Sequence, residues 1–400
     1  MSAMQEGRAD EERWTSEDRQ TREERQTREE SRTSVEGSAY IHWAKTAQSA
    51  ARYNLANSGM RHYRLADLPF ELSDLELSGP SFYGYAPLQE ALARKCGTTP
   101  DCVVAANGTS MANHLAMASL VNPGDEVLIE QPAYEPLLAV AEYLGARVRR
   151  FARPSQNYFR LDAAEVERAI TPRTRLVVVT NLHNPSNSLA GDDTLREIGE
   201  IARRVGARVL VDEVYLDSAF DAAPRSSFRL GGHFVVTSSL TKAYGLSGLR
   251  CGWILAEPEL AKRMWRLNDI FGVMQPHVSE RLSVIALNNL DKIAESSRAL
   301  LATNRALFNQ FLTSRDDIEA PPSEHGTVSF PRMLAGDPES LCALLREKYE
   351  TSLVPGSCFE EPQHFRIGLA LEPELFAEGL SRVGAALDEL KANGRQQAGR

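Results

Sequence analysis

The chain has 400 residues, a net charge of −9 and 42% apolar content, an ordinary soluble globular composition long enough that two lobes are the default. It has no basic stripe, no metal-ligand spacing and no apolar run near the ~20 residues that span a bilayer, so nucleic acid, metal and membrane are not expected partners. Cys96, Cys102, Cys251, Cys342 and Cys358 are scattered without a CxxC pair and the N-terminal stretch has no signal-peptide core, which points to reduced thiols in the cytoplasm.

Residues 1–39 hold seven Arg and eleven acidic residues, and carry a direct repeat, Arg19-Gln20-Thr21-Arg22-Glu23-Glu24 and Arg25-Gln26-Thr27-Arg28-Glu29-Glu30. With almost no large apolar residue, this segment is expected to be a disordered polar extension. Residues 40–80 are expected to pack with a small C-terminal lobe. Residues 81–275 read as a large lobe. Strand-like runs at 102–105, 126–130, 147–151, 175–180, 208–211, 234–237 and 251–256 are near-continuously apolar or β-branched, and amphipathic helical patterns at 111–120, 135–144, 163–170 and 193–205 separate most of them. This alternation predicts an α/β fold with a mainly parallel sheet covered by helices on both faces. Helical patterns at 258–268 and 293–312 follow, and residues 276–392 alternate again as a smaller α/β lobe, with strands at 327–330 and 364–369, helices at 341–349 and 373–390, and a flexible tail at 393–400.

The candidate chemistry lies where strands end, because open α/β sheets place ligands beyond the carboxyl ends of their strands. Lys242 follows the run Phe234-Val235-Val236, and Arg250 stands eight residues on, so an amine able to form a Schiff base is paired with a fork for phosphate. Asp212 emerges from Val209-Leu210-Val211, where a buried acid needs a cation or hydrogen-bond donors. Asn184 precedes Pro185 after the strand Val177-Val178-Val179, and its amide could point over a strand end. Asn107-Gly108-Thr109-Ser110 opens a helix whose N–H groups suit an anion. Tyr134 begins another helix, where its ring could stack on a planar group, and Arg366 interrupts an apolar strand, which calls for an anionic partner. Taken singly, each has a commonplace alternative: a cap, a turn, a packing ring, a surface charge.

Their order is more telling. Asn107-Gly108-Thr109-Ser110, Tyr134, Asn184-Pro185, Asp212-Glu213-Val214-Tyr215, Ser239-Leu240-Thr241-Lys242 with Arg250, then Arg366, resembles the class I/II aminotransferases of pyridoxal-phosphate fold type I over roughly residues 40–391. The resemblance implies pyridoxal 5'-phosphate as cofactor and a ping-pong transfer of an amino group between an amino acid and a 2-oxo acid. It assigns Lys242 as Schiff-base partner and proton shuttle, Asp212 as partner of the pyridine nitrogen, and Asn184 with Tyr215 as donors to the ring oxygen O3'. Gly108, Thr109, Ser110, Ser239 and Arg250 would hold the phosphate, Tyr134 would stack on the ring, and Arg366 would clamp the substrate carboxylate near Asn184 and Gly59. It also implies a homodimer in which Tyr83 or Tyr85, Tyr83 being favoured, and the stretch 268–277 complete the neighbour's site. Departures are Ser186-Asn187 after Asn184-Pro185 and the lack of a matched second arginine for a side-chain carboxylate. The same residues would also serve a lyase, decarboxylase or amino-acid cyclase on this scaffold and, less readily, a non-catalytic cofactor-binding regulator.

Overall fold

The computed structural model describes residues 37–47 and 51–398, so most of the polar extension lies outside the described residues. A seven-stranded sheet dominates: β1 (Val103–Asn107), β2 (Glu126–Gln131), β3 (Arg147–Ala152), β4 (Thr174–Thr180), β5 (Arg208–Asp212), β6 (Phe234–Ser239) and β7 (Cys251–Leu255), in the order β1-β7-β6-β5-β4-β2-β3. All seven fall where the apolar runs predicted them. The pairs from β3 through β6 are parallel, whereas β7 runs antiparallel to both β1 and β6. That arrangement brings the carboxyl ends of β1, β2, β4, β5 and β6, and the start of β7, to one edge of the sheet.

Strands β1, β2 and β4 to β7 are buried almost end to end, the pattern of a sheet covered on both faces. The cover comes from α2 (Ala86–Cys96), α3 (Gly108–Leu120), α4 (Glu135–Tyr143), α5 (Ala163–Ala169), α6 (Asp192–Arg204) and α7 (Pro258–Asn268). Helix α6 is acidic in its first turn and basic in its last, which suits the helix dipole. The next helix, α8 (His277–Leu287), packs Leu282 and Ala286 into the same core. The sequence patterns do not predict α2 or α8.

The C-terminal part builds a second core around Leu301, Phe308, Leu341, Leu345, Ile367 and Phe376, from α9 (Leu290–Thr313), α10 (Pro338–Lys348) and α11 (Pro373–Ala398). Its three-stranded antiparallel sheet has the order β8 (Val328–Ser329), β10 (Phe365–Gly368), β9 (Val354–Pro355). The N-terminal segment joins the parts. Helix α1 (Ala39–Thr46) is capped by Ser38, Tyr53–Asn54 pairs with Thr351–Ser352, Gly368 N donates to Leu55 O (2.6 Å), and Met60 N donates to Lys242 O (2.8 Å). Among the described residues no helix is long and apolar enough to cross a membrane.

Candidate active site

A pocket of about 160 Å3 opens at the strand-end edge of the large sheet. Thr109, Ser110, Tyr134, Asn184, Asp212, Tyr215, Ser239, Lys242 and Arg250 all line it, so nine of the residues selected from sequence meet in one place. They converge because β1, β2, β4, β5 and β6 each end at this edge.

Asp212 closes β5 and is buried. Its carboxylate accepts from Asn113 Nδ2 (2.8 Å) and Val214 N (3.0 Å), and Asn113 is itself oriented by Thr237, whose hydroxyl donates to Asn113 Oδ1 (2.6 Å). Burial nevertheless pushes the carboxyl up to about 6, because two neutral donors replace bulk water incompletely. Lys242 sits in one helical turn, Thr241–Tyr244, directly after β6. Burial pulls its amine down to about 8. Its Nζ donates to Ser58 Oγ (2.8 Å) and lies 5.6 Å from the centre of the Tyr215 ring. Gly59 makes room for the lysine stem, since a Cβ there would lie 3.3 Å from Lys242 Cδ.

At the other end, α3 begins at Gly108, whose φ of +74° and close approach leave no space for a side chain: a Cβ would stand 2.2 Å from Arg250 Nη2. Gly108 N donates to Arg250 O (2.8 Å), and Arg250 Nη2 donates to Asn107 O (3.1 Å), which holds the guanidinium across the helix start. Thr109 Oγ1 is buried without a hydrogen-bond partner. A cation, a helix N-terminus, Ser110, Ser239 and an unpartnered hydroxyl together fit a phosphate, so the residues present accommodate the cofactor expected from sequence.

Arg366 lies on the central strand of the small sheet and is 1% exposed. Nη1 donates to Asn184 Oδ1 (2.8 Å), and Nη2 donates to Tyr40 Oη (2.7 Å) and Ala56 O (3.2 Å), while Nε has no partner. Burial works against this charge, but the phenols of Tyr40 and Tyr215 hold the pKa above its ordinary value. A guanidinium held by neutral groups with one N–H unused is prepared for an anion. Tyr134 stands edge-on to Tyr40, with ring centres 5.8 Å apart, and burial raises its phenol well above the usual range.

Tyr83 lies elsewhere in the chain: it is exposed, and its hydroxyl donates to Asp269 Oδ2 (3.3 Å). Tyr85 stands edge-on to His277, with ring centres 4.9 Å apart. Tyr40 and Asn113 escaped the sequence reading, and Ser58 entered it only as the neighbour of Gly59 in the expected substrate-contact segment. Asn113 had a signal, a lone amide among Ala112, Leu115 and Ala116 of a buried helix face; the other two depend on long-range packing alone.

The sequence model of the family described as aminotransferase class I and II matches residues 70–383. Capreomycidine synthase of Streptomyces vinaceus is 29% identical over 369 residues, 89% of this chain and 94% of that protein. Aspartate aminotransferase of Streptomyces avermitilis is 25% identical over 344 residues, 78% of this chain and 84% of its own length. The crystal structure of a PLP-dependent aminotransferase from Streptococcus suis superposes with a TM-score of 0.83 at 25% identity, covering 88% of this chain and 97% of the other. The expectation drawn from the strand-end residues is met at the level of the whole chain, which belongs to the class I and II aminotransferase family as a pyridoxal-phosphate-dependent transaminase of fold type I.

Proposed function

We propose that Lys242 is the covalent anchor of pyridoxal 5'-phosphate and the acid–base group of the amino transfer, with Asp212 facing the pyridine nitrogen and Asn184 and Tyr215 the ring hydroxyl. Gly108, Thr109, Ser110, Ser239 and Arg250 hold the phosphate, and Tyr134 flanks the ring. The observation that carries this reading is the convergence, in one pocket, of a half-buried lysine held by Ser58, its amine pulled down to about 8, and a buried carboxylate hydrogen-bonded only by neutral donors. When bound, the cofactor supplies an electron sink for the charge left at the substrate Cα. Arg366 clamps the α-carboxylate, with Asn184 fixing the guanidinium and Gly59 contacting the substrate from beside Lys242, so that the substrate is oriented before any bond breaks. Lys242 then takes the Cα proton and returns it, and for this an amine near 8 is better matched to neutral pH than an ordinary lysine.

Borohydride reduction followed by peptide mapping tests the anchor: label on the Lys242 peptide supports it, and label elsewhere refutes it. A donor screen tests the reaction. Holoenzyme given one amino acid and no acceptor should release about one equivalent of 2-oxo acid and no ammonia. Release of ammonia, carbon dioxide or a cyclised product would favour the second reading, a different reaction on the same scaffold, which the likeness to capreomycidine synthase keeps in view.

The working unit in this proposal is a cytoplasmic homodimer. Leu72 and Leu77 are 84% and 82% exposed, Phe82 is exposed in the same stretch, and Ile270, Val273 and Met274 are exposed in a second one. Tyr83 joins the two stretches through Asp269, and a second copy covering this face would set Tyr83 against its neighbour's cofactor phosphate. Replacing Leu72 and Leu77 together by Asp should give monomers in sedimentation with little activity; an active monomer would refute shared sites. Residues 81–275 and 276–392, with 40–80 against the latter, remain our division into lobes, helix α8 riding on the large one.

A further inference from the structure

The N-terminal segment places a hydroxyl on the reacting amine. Ser58 is 6% exposed, and its Oγ accepts the hydrogen bond from Lys242 Nζ (2.8 Å). Burial raises the nearby Tyr215 phenol, an effect that Arg366 and then the Ser58 hydroxyl oppose. The Ser58 backbone is fixed on both sides. Thr327 Oγ1, fully buried beside β8, donates to Ser58 O (2.7 Å), and two residues on Met60 N donates to Lys242 O (2.8 Å). A serine used only as filler needs neither arrangement.

We infer that the Ser58 hydroxyl is a catalytic group, holding the Lys242 amine while that amine is not bonded to the cofactor and steadying the ammonium that forms when Lys242 takes the substrate proton. In that step the Cα–H bond breaks, its electron pair stays with carbon, and the proton forms a new N–H bond on Nζ. Ser58 transfers no proton; its oxygen accepts an N–H. The other groups facing the amine are Asp212 from β5, Tyr215 after it, Tyr40 from α1, Arg250 ahead of β7 and Arg366 from β10. The two cations oppose the ammonium, so a neutral acceptor at hydrogen-bond distance has a defined role. It holds the charged form without binding it permanently, as a carboxylate would. The inference rests on Lys242 being anchor and base.

The test compares Ser58→Ala and Ser58→Thr with the unsubstituted chain. In cofactor-free full-length protein, the pH dependence of Lys242 acetylation by acetic anhydride, read by peptide mapping, reports the amine directly. The Ala variant should move the midpoint down by about one pH unit, the magnitude of a hydrogen bond to a charged group. In the holoenzyme, kcat should fall ~10–100-fold with KM nearly unchanged, and the isotope effect with an α-deuterated donor should rise. The Thr variant, which keeps the hydroxyl, should recover most of both changes. An unmoved midpoint overturns the inference even if kcat falls, since that pattern marks a structural role, and so does a Thr variant that behaves like Ala. Borohydride-fixable cofactor on Lys242 in all three proteins keeps this outcome separate from failure of the anchor itself, which would show as its absence from the unsubstituted chain.

Discussion

The floor and the lid of the active site are built by different rules. The floor (Asp212, Asn184, Lys242 and the Gly108 turn) is a row of strand and helix ends on one rigid sheet, and each residue owes its place to the few residues before it. The lid (Tyr40, Ser58 and Arg366) is assembled from the N-terminal segment and the small sheet, joined by hydrogen bonds between residues far apart in sequence, such as Thr327 to Ser58 and Arg366 to Tyr40. In the proposed mechanism the covalent anchor and the ring's charged partner sit on the floor, whereas the lid orients the substrate and holds the free amine. Losses on substitution should therefore be steep on the floor and graded on the lid.

Lys242→Ala gives the largest expected effect, a fall in kcat on the order of 10^4-fold or more with the fold intact by circular dichroism, because it removes the proposed anchor and base together. A variant within tenfold of the parent would contradict the proposed floor. Asp212→Asn should cost ~10²–10³-fold in kcat, comparable with loss of one preorganised electrostatic partner. The same change should stabilise the cofactor-free protein. A carboxyl raised from 3.8 to about 6 by burial contributes stability fully below pH ~4 and loses it as the pH rises through about 6, which amounts to about 3 kcal/mol at neutral pH. Denaturant unfolding of the two cofactor-free proteins at pH 5 and pH 7.5 checks the sign. The variant's advantage must grow with pH, and a constant difference would mean that Asp212 is not the group responsible.

The contrast also explains what the sequence could tell. Seven strands and the residues ending them were legible because Val177-Val178-Val179 or Val209-Leu210-Val211 declares a buried strand, and a polar residue just beyond it has few places to go. The reversed direction of β7 and its insertion between β1 and β6 were not legible, since pairing partners are set by the whole sheet. Helices α2 and α8 pack on each other, and α8 buries His277 and Glu280, both bonded to Ser81 ahead of α2, which blurs the apolar stripe that a pattern needs. Ser58 and Tyr40 take their places from hydrogen bonds to residues 184 and 326 positions away, which no local pattern announces.

Two lid changes sharpen the comparison. Arg366→Lys should raise KM for the amino donor by ~10–100-fold with a smaller fall in kcat, because a point charge cannot reproduce the fork that Asn184 and Tyr40 hold in place. An equal loss in kcat and kcat/KM would instead place Arg366 in the transition-state chemistry and dissolve the distinction between lid and floor.

Tyr40→Phe should be the mildest. It keeps the ring that lies against Arg366, 5.6 Å from ring centre to guanidinium carbon, and removes only the hydroxyl bonded to Nη2. The guanidinium retains Asn184 and Ala56, so the expected loss is one hydrogen bond to a charged group that is already well held, a KM increase of ~3–10-fold at unchanged kcat. Tyr40 also favours the protonated form of Lys242, so the same variant should shift the amine's acetylation midpoint slightly downward. A large fall in kcat, with the acetylation midpoint unmoved, would mean that α1 organises the floor itself and that the two regions are not separable.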